Sequence, residues 1–293
     1  MIELDEYLDI IGGAAGCIGG LLSLYDQVPS ERTLHAAVQC GERLVARAQQ
    51  MEHGVGWLVP REPRPLAGFA HGAAGIAWAL LKLAAVTGGE DFQTTALAGI
   101  AYERSLFSRE AENWRDLRAW TRDRSSSDED GDFFMTAWCA GAPGIGLARL
   151  SALDQLGDVA TRGEIDTALK TTLNHGFGQN HSLCHGDLGN IELLLQAGQI
   201  FNDSRWHAEA SRLASMIVEN IAGNEVLCGT PMRVATPGLM TGLAGIGYGL
   251  LRLAERQRIP SVLTLEPPPR NRGYRHEAFR DCVESRRPSG ELQ

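Results

Sequence analysis

The 293-residue chain has no excess of positive charge, no long apolar run and no basic N-terminus. Its formal net charge of −9 argues against nucleic acid as the main partner, because phosphate binding requires a basic face. Apolar stretches such as 242–253 contain glycine and are too short to cross a bilayer. Residues 1–6 are acidic, whereas a secretory signal begins with basic residues. We therefore expect a cytoplasmic protein with no integral membrane association and no nucleic-acid partner.

Cysteine is too sparse for a disulfide framework, and strand-like patterning is missing. The 6 cysteines are scattered along the chain, which is typical of reduced cytosolic thiols. We find no sustained alternation of apolar and polar residues of the kind that marks a half-buried strand. The missing strand pattern favours an all-α fold.

Glycine, in contrast, is abundant, with 34 residues, and it organises a repeat. A Gly-x-x-Gly element occurs five times, with its first glycine at positions 13, 72, 141, 186 and 242. An apolar run without a polar face follows each element and is typical of a buried helix. Amphipathic segments lie between these runs, at 34–50, 92–107, 164–173 and 206–221. The alternation predicts a ring of helical hairpins, with the glycine-started helices inside and the amphipathic helices outside.

The repeat also places reactive side chains at equivalent positions. Cys139 and Cys184 each stand two residues before the first glycine of a repeat, while His71 and His185 each stand one residue before it. If the hairpins form a ring, these positions lie on one rim around the central opening. Residues far apart in sequence would then converge there.

Cys139, Cys184 and His185 together form an S₂N set that suits Zn²⁺ and leaves a fourth coordination position open. His71 on the same rim could act as a general acid or base. The alternative is structural, because a single cysteine is often a small core residue and a lone histidine often a hydrogen-bonded one. A Cys/His hydrolase is less favoured, since adjacent side chains such as 184 and 185 rarely face each other. Phosphate loops are disfavoured because no Lys-Ser/Thr follows any repeat.

Three segments of the chain, two of which contain Cys139, Cys184 and His185, resemble the lanthionine synthetase C-like (LanC-like) cyclase domain. The resemblance is greatest to the version of this domain in the C-terminal part of class II LanM-type lanthipeptide synthetases. The segments are 138–150, 182–190 and 237–247, and shorter matches occur at 68–75 and 113–118. The similarity runs from about residue 8 to residue 265. We therefore expect a cyclase domain over residues 1–265 and a C-terminal tail over 266–293.

The resemblance implies an α/α toroid with zinc at its mouth and an enzyme of the carbon–sulfur-bond-forming lyase class. Members of this family add cysteine thiols of a dehydrated precursor peptide to dehydroalanine or dehydrobutyrine, which gives (methyl)lanthionine bridges. By motif, Cys139, Cys184 and His185 would bind zinc, and His71 would handle the proton. Asp9 matches an acidic residue near the family's active site, although an aspartate there could equally cap the following turn.

The sequence departs from the family in extent. The family toroid has seven repeats and this chain has five, so we expect an incomplete ring with uncovered apolar faces. No counterpart of the LanM dehydratase region is present, and the missing N-terminal portion or another closing partner would be required.

Two other functions stay open. One is a non-catalytic remnant that binds peptide or thiol. The other is a glycosidase on the same fold, which would need paired carboxylates, whereas only Asp9 and Asp187 lie near the rim.

Overall fold

The computed structural model describes residues 2–118 and 132–269. Five inner helices begin at the glycine repeats, at Ala14–Gln27 (α1), Ala73–Thr87 (α3), Ala142–Ser151 (α5), Asp187–Phe201 (α8) and Leu243–Glu255 (α10). Four outer helices alternate with them, at Glu31–Arg47 (α2), Glu90–Ser105 (α4), Val159–His175 (α7) and Ser204–Gly223 (α9). A short helix, Leu153–Leu156 (α6), joins α5 to α7. The predicted tail beyond residue 269 lies outside the described residues.

The helices form a curved double layer. Each inner helix packs against the next one, in the order α1, α3, α5, α8 and α10, and the outer helices α2, α4, α7 and α9 each pack on the inner helix before them. The all-α ring of hairpins is therefore confirmed. Two pairs of two-residue strands, which the sequence did not predict, close loops at β1 (Gln49–Gln50) with β2 (Val55–Gly56) and at β3 (Phe107–Ser108) with β4 (Asn113–Trp114). None of the described helices is long and apolar enough to span a membrane.

The repeat glycines allow the chain to fold back onto the start of each inner helix. At Gly75 an added Cβ would lie 1.9 Å from the carbonyl oxygen of Phe69, and at Gly189 it would lie 1.9 Å from that of Leu183. No side chain fits at these distances, so a residue without Cβ is required. The preceding segment therefore turns tightly over the first turn of its helix and carries its side chains to the rim.

A ladder of backbone hydrogen bonds joins these turns along the rim. Ile10 N donates to Ala70 O at 3.1 Å, and Ala70 N donates to Cys139 O at 3.2 Å. Cys139 N then donates to Cys184 O at 3.1 Å, and Cys184 N to Met240 O at 2.8 Å. The prediction that the equivalent positions of the repeats share one rim is confirmed.

Burial differs sharply between the middle and the ends of the ring. Every residue of α8 from Asp187 to Gly198 is buried, and α3 and α5 are nearly as enclosed. On α1 and α10, Leu24 and Leu251 are 52% and 57% exposed. The prediction that all five glycine-started helices are buried is therefore wrong for α1 and α10, because each packs against a single neighbouring inner helix.

The segment 259–268, which we call the strap, returns from the end of α10 to α1. Arg252 Nη1 donates to Ile259 O at 2.6 Å at its start. Ser23 Oγ on α1 donates to Leu265 O, and Gln27 Nε2 donates to Pro268 O at 3.1 Å near its end. The domain end predicted at residue 265 falls inside this packed segment, and the strap ties the two ends of the ring together.

Candidate metal centre

Three predicted ligands come together at the rim between α5 and α8. One ligand atom from each of Cys139, Cys184 and His185 lies within 4.8 Å of the other two. Cys139 is 5% exposed, whereas Cys184 and His185 are partly open to solvent. Within the ranges 2–118 and 132–269, this is the one cluster of three His, Cys, Asp or Glu side chains with this spacing.

Buried amides fix the turns that carry these ligands. Asn190 in α8 accepts a hydrogen bond from Trp138 N at 3.1 Å and donates to Thr136 O at 3.0 Å, so α8 holds the segment that precedes Cys139. Asn113 Oδ1 accepts from Ala142 N at 3.0 Å and so caps the start of α5. The turn of Cys139 is therefore anchored from both sides, and the backbone hydrogen bond from Cys139 N to Cys184 O ties the turn of Cys184 to it.

The two thiols behave as a coupled pair. A hydrogen bond from Cys184 holds the pKa of Cys139 well below its usual range, against the effect of burial, and His185 and the Arg118 guanidinium add to the lowering. The pKa of Cys184 is raised because that thiol keeps the shared proton and is itself buried. One of the two sulfurs is therefore the preferred thiolate, which is the form that binds metal.

The donor set fits zinc. Two cysteine sulfurs and one imidazole nitrogen are usual zinc ligands, and at zinc–sulfur distances of about 2.3 Å in a tetrahedral site two thiolates stand about 4 Å apart. The spacing of at most 4.8 Å between the ligand atoms is compatible with that arrangement. Three protein ligands leave one position free, as in catalytic rather than structural zinc sites.

Arg118 is a charged residue beside this site for which the sequence predicted no role. Its Nε donates to both carboxylate oxygens of Asp116, at 2.9 and 3.1 Å. Burial opposes the charge of the Arg118 guanidinium, but the hydrogen bond and the charge of Asp116 raise its pKa, and the charges of Cys139 and Cys184 add to that rise. The sequence indicated a role for Arg118 only through its position in the matched segment 113–118. The contact of that segment with the thiols depends on the tertiary structure.

His71 and Asp9 form a hydrogen-bonded pair on the rim, on turns next to the one that carries Cys139. His71 Nδ1 lies 2.7 Å from Asp9 Oδ2, and the Asp9 side chain is 2% exposed while that of His71 is 40% exposed. An ionised carboxylate only accepts hydrogen bonds, so Nδ1 carries the proton and Nε2 is left available. Asp9 Oδ1 also accepts from Gly12 N at 2.8 Å, so the turn-capping interaction considered from the sequence coexists with the pairing to His71.

Other ionisable side chains and thiols do not join these groups. Asp187 accepts a hydrogen bond from Gly178 N at 2.8 Å, and burial raises its pKa. Cys17 and Cys40 form a hydrogen-bonded pair on α1 and α2. The histidine His181 is buried between Asn220 and the backbone of residue 227. We assign none of these residues to the rim chemistry.

Similar folds occur among solved structures of different kinds of enzyme. Nisin cyclase matches with a TM-score of 0.64 and 19% identity, over 90% of this chain and 68% of that chain. A sugar epimerase from a ruminal bacterium matches with a TM-score of 0.57 and 15% identity, over 78% of this chain and 63% of that chain. These likenesses establish the α/α toroid. They do not indicate which reaction the site supports.

The sequence narrows this class to one family. The chain belongs to the lanthionine synthetase C-like protein family, whose model matches residues 2–264. It is also 28% identical over 211 residues to the lacticin 481/lactococcin biosynthesis protein LcnDR2 of Lactococcus lactis subsp. lactis, covering 68% of this chain. The chain spans 22% of the length of that relative. The resemblance drawn from the sequence is confirmed.

Proposed function

We propose that this chain is a zinc-dependent lanthipeptide cyclase domain that joins peptide cysteine thiols to dehydroalanine or dehydrobutyrine. The observation that carries the proposal is that two thiols and an imidazole lie close to an Asp–His pair, on turns joined by the hydrogen bond from Ala70 N to Cys139 O. Membership of the lanthionine synthetase C-like family and the nisin cyclase fold support it. The substrate would be a dehydrated precursor peptide, and the setting the cytoplasm.

Cys139, Cys184 and His185 would hold the metal. When bound, a zinc ion would supply Lewis acidity that keeps a substrate thiol ionised near neutral pH, which is its nucleophilic form. Arg118 would place a fixed positive charge beside the two cysteine thiolates and so offset part of their negative charge. These residues prepare the site for an anionic sulfur.

Asp9 and His71 would manage the proton. The addition forms a bond between sulfur and the β-carbon of the dehydro residue, and the electron pair of the double bond moves to the α-carbon. The thiol proton ends on that α-carbon, so no oxidant or reductant is involved. Asp9 holds His71 Nδ1 and thereby presents Nε2, through which a proton can be taken up or released.

The proposal is limited to cyclisation. The dehydro residues would have to come from a dehydratase, supplied by a further portion of the protein or by a partner. The sugar epimerase likeness does not favour a sugar substrate, because it rests on the fold alone. Asp9 is engaged by His71 and Asp187 by Gly178, so these two rim carboxylates do not form the free pair that glycosidase chemistry needs.

Elemental analysis of the purified protein tests the metal. We expect about one equivalent of zinc, and loss of most of it in Cys139→Ser and Cys184→Ser, because a three-ligand site does not tolerate removal of a thiolate. Cys40→Ser is the matched control, since Cys40 is a buried thiol on α2 and lies outside the cluster. Less than half an equivalent in the unaltered protein would contradict the assignment.

Turnover is tested with a chemically dehydrated precursor peptide, by counting free thiols through alkylation and mass spectrometry. We expect His71→Asn to lower the rate about 10²–10⁴-fold, the usual contribution of a positioned acid or base, with zinc content unchanged. His53→Asn, at a surface histidine with 63% side-chain exposure, should leave the rate unaltered. Bound zinc without any loss of thiols in the unaltered protein would favour the non-catalytic remnant instead.

A further inference from the structure

An exposed thiol lies next to a buried one on the hairpin formed by α1 and α2. Of the five cysteines that the structure describes, Cys17 on α1 is the exposed one, while Cys40 on α2 is 2% exposed. A hydrogen bond joins the two side chains. Neither thiol belongs to the candidate metal centre, and the proposed cyclisation uses neither of them.

A second link between the same helices fixes the level at which the two thiols meet. Asp5 Oδ2 accepts a hydrogen bond from Ala14 N at 2.7 Å, and Asp5 O accepts one from Arg43 Nη2 at 2.6 Å. These contacts lie three residues before Cys17 on α1 and three residues after Cys40 on α2. Because the two helices of a hairpin run antiparallel, both links stand at matching levels, about 4.5 Å apart along the axis. The surrounding contacts therefore agree with the facing of the two thiols.

Cys17 is the more reactive of the two thiols. The hydrogen bond from Cys40 lowers the pKa of Cys17 to about 6, although burial and the charge of Asp5 oppose the lowering. Cys17 also ends the first turn of α1, and because helical side chains point toward the N-terminus, its sulfur lies near the positive end of the helix dipole. At neutral pH Cys17 is therefore mainly a thiolate, which is the form that attacks oxidants.

Cys40 has the complementary properties. The hydrogen bond with Cys17 raises the pKa of Cys40, and burial adds to the rise. Cys40 therefore stays a thiol and is shielded from solvent, but it lies beside the sulfur of Cys17. An exposed thiolate next to a second cysteine is the arrangement of thiols that respond reversibly to oxidation.

We propose that Cys17 and Cys40 form a peroxide-sensitive site, in which oxidation of Cys17 leads to an intramolecular disulfide that ties α1 to α2. The Cys17 sulfur attacks one oxygen of hydrogen peroxide, the O–O bond breaks, and the released hydroxide takes up a proton to give water. Cys40 then attacks the sulfenic acid at Cys17, its proton goes to the departing hydroxide, and a second water leaves. The two sulfurs lose two electrons in total, and the peroxide gains them.

The disulfide would act on the helix that supports Asp9. Gly13 N and Gly16 N donate to Asp9 O at 3.2 and 3.1 Å, so the turn that carries Asp9 is joined to the first turn of α1. A bond from Cys17 to α2 would limit opening of this first turn, because a cross-link removes freedom from opened states. The site lies apart from the candidate metal centre, and its test does not depend on cyclase activity.

Thiol mapping after treatment with hydrogen peroxide tests the pair. In the purified protein with added zinc, alkylated after unfolding, we expect loss of both the Cys17 and the Cys40 thiol and a linked peptide that contains them, reversed by dithiothreitol. Cys228, which is 1% exposed, is the internal reference and should keep its thiol. Cys17 that stays a thiol, stays a sulfenic acid beside a free Cys40, or joins any other cysteine would overturn the proposal.

Two variants separate the roles of the thiols. In Cys40→Ser, peroxide should leave Cys17 as a sulfenic acid that dimedone traps, because the second thiol is missing. In Cys17→Ser, Cys40 should remain a thiol, since it is 2% exposed. Oxidation of Cys40 at the unaltered rate in the absence of Cys17 would contradict the order of the two steps.

Amide exchange tests the tie between the helices. Exchange in α1 should be slower in the oxidised protein than in the reduced one, because the disulfide holds the first turn of α1 against α2. Peroxide should not slow it in Cys40→Ser, where no disulfide can form between these positions. Equal exchange in α1 of the oxidised and reduced unaltered protein would overturn the tie.

Discussion

The inner helices α8 and α10 begin with the same motif and are similarly apolar, yet they occupy different environments. From Asp187 to Gly198 every residue of α8 is buried, while the buried set of α10 consists of Gly245, Ile246, Gly249 and Arg252. The difference comes from the number of inner neighbours, which is two for α8 and one for α10. An apolar helix in a ring is thus buried by its position as much as by its composition.

This contrast bears on the site. Cys139, Cys184 and His185 precede α5 and α8, where neighbours enclose the backbone on both sides. Asp9 precedes α1, at the end of the ring, although its carboxylate is itself buried. The candidate metal ligands therefore stand on the most enclosed part of the molecule, and the Asp9–His71 pair bridges the enclosed part and the open end.

The largest expected effect comes from truncating one leucine in each environment. Leu193→Ala in α8 removes a fully buried side chain and should lower the free energy of unfolding by about 2–5 kcal/mol. Leu251→Ala in α10 removes a side chain that is 57% exposed and should cost within about 0.5 kcal/mol. Urea unfolding at saturating zinc measures both changes. Similar losses in the two variants would show that α10 is covered in solution and would break the comparison.

A smaller difference in the free energy of unfolding is expected between substitutions of two repeat glycines. An added Cβ at Gly189 would lie 1.9 Å from the carbonyl oxygen of Leu183, and at Gly245 it would lie 1.6 Å from that of Leu239. Leu183 is 3% exposed and is enclosed by its neighbours, whereas Leu239 is 42% exposed and has solvent on one side. We expect Gly189→Ala to cost about 2 kcal/mol more than Gly245→Ala, in spite of its longer contact, because overpacking costs 1–3 kcal/mol where neighbours cannot yield. Thermal unfolding of the two variants provides the measurement, and the reverse order would refute it.

Buried ion pairs differ between the two regions as well. Near the middle, Glu103 lies 3.6 Å from Arg149 and is fully buried, and burial raises its pKa to about 7. At the open end, Arg252 donates to both carboxylate oxygens of Glu192, at 2.7 and 2.6 Å. Both pairs are buried, but among the described residues the carboxylate oxygens of Glu103 have no hydrogen-bond partner, whereas those of Glu192 accept two hydrogen bonds from Arg252.

That contrast predicts a pH dependence. Glu103 has an ordinary pKa of 4.5 and a raised value in the folded state, so the folded protein binds its proton more tightly. Folding stability then falls as the pH rises from about 4.5 to about 7. Relative to Glu103→Gln, the unaltered protein should lose about 2 kcal/mol between pH 5 and pH 7. Urea midpoints of the two proteins at several pH values test this, and parallel pH profiles would contradict it.

Much of this arrangement was predictable from sequence. The Gly-x-x-Gly repeat predicted the alternation of inner and outer helices, because a helix that is apolar on all sides is stable only when other helices surround it. The equal offsets of Cys139 and Cys184 from their glycines predicted that the thiols would meet. The neighbourhood of Arg118 was not predictable, because a loop 21 residues before Cys139 carries no periodic signal of where it returns.

The sequence by itself determined which residues could be ligands, where the inner helices begin and that the repeats share one rim. These are local properties, set by side-chain chemistry and by glycines at contacts too close for a Cβ. Only the tertiary structure decided that α1 and α10 are half exposed, that Asp9 pairs with His71, and that the strap crosses from one end of the ring to the other. Those features depend on how many neighbours each helix has and on contacts between distant segments, which no single repeat encodes.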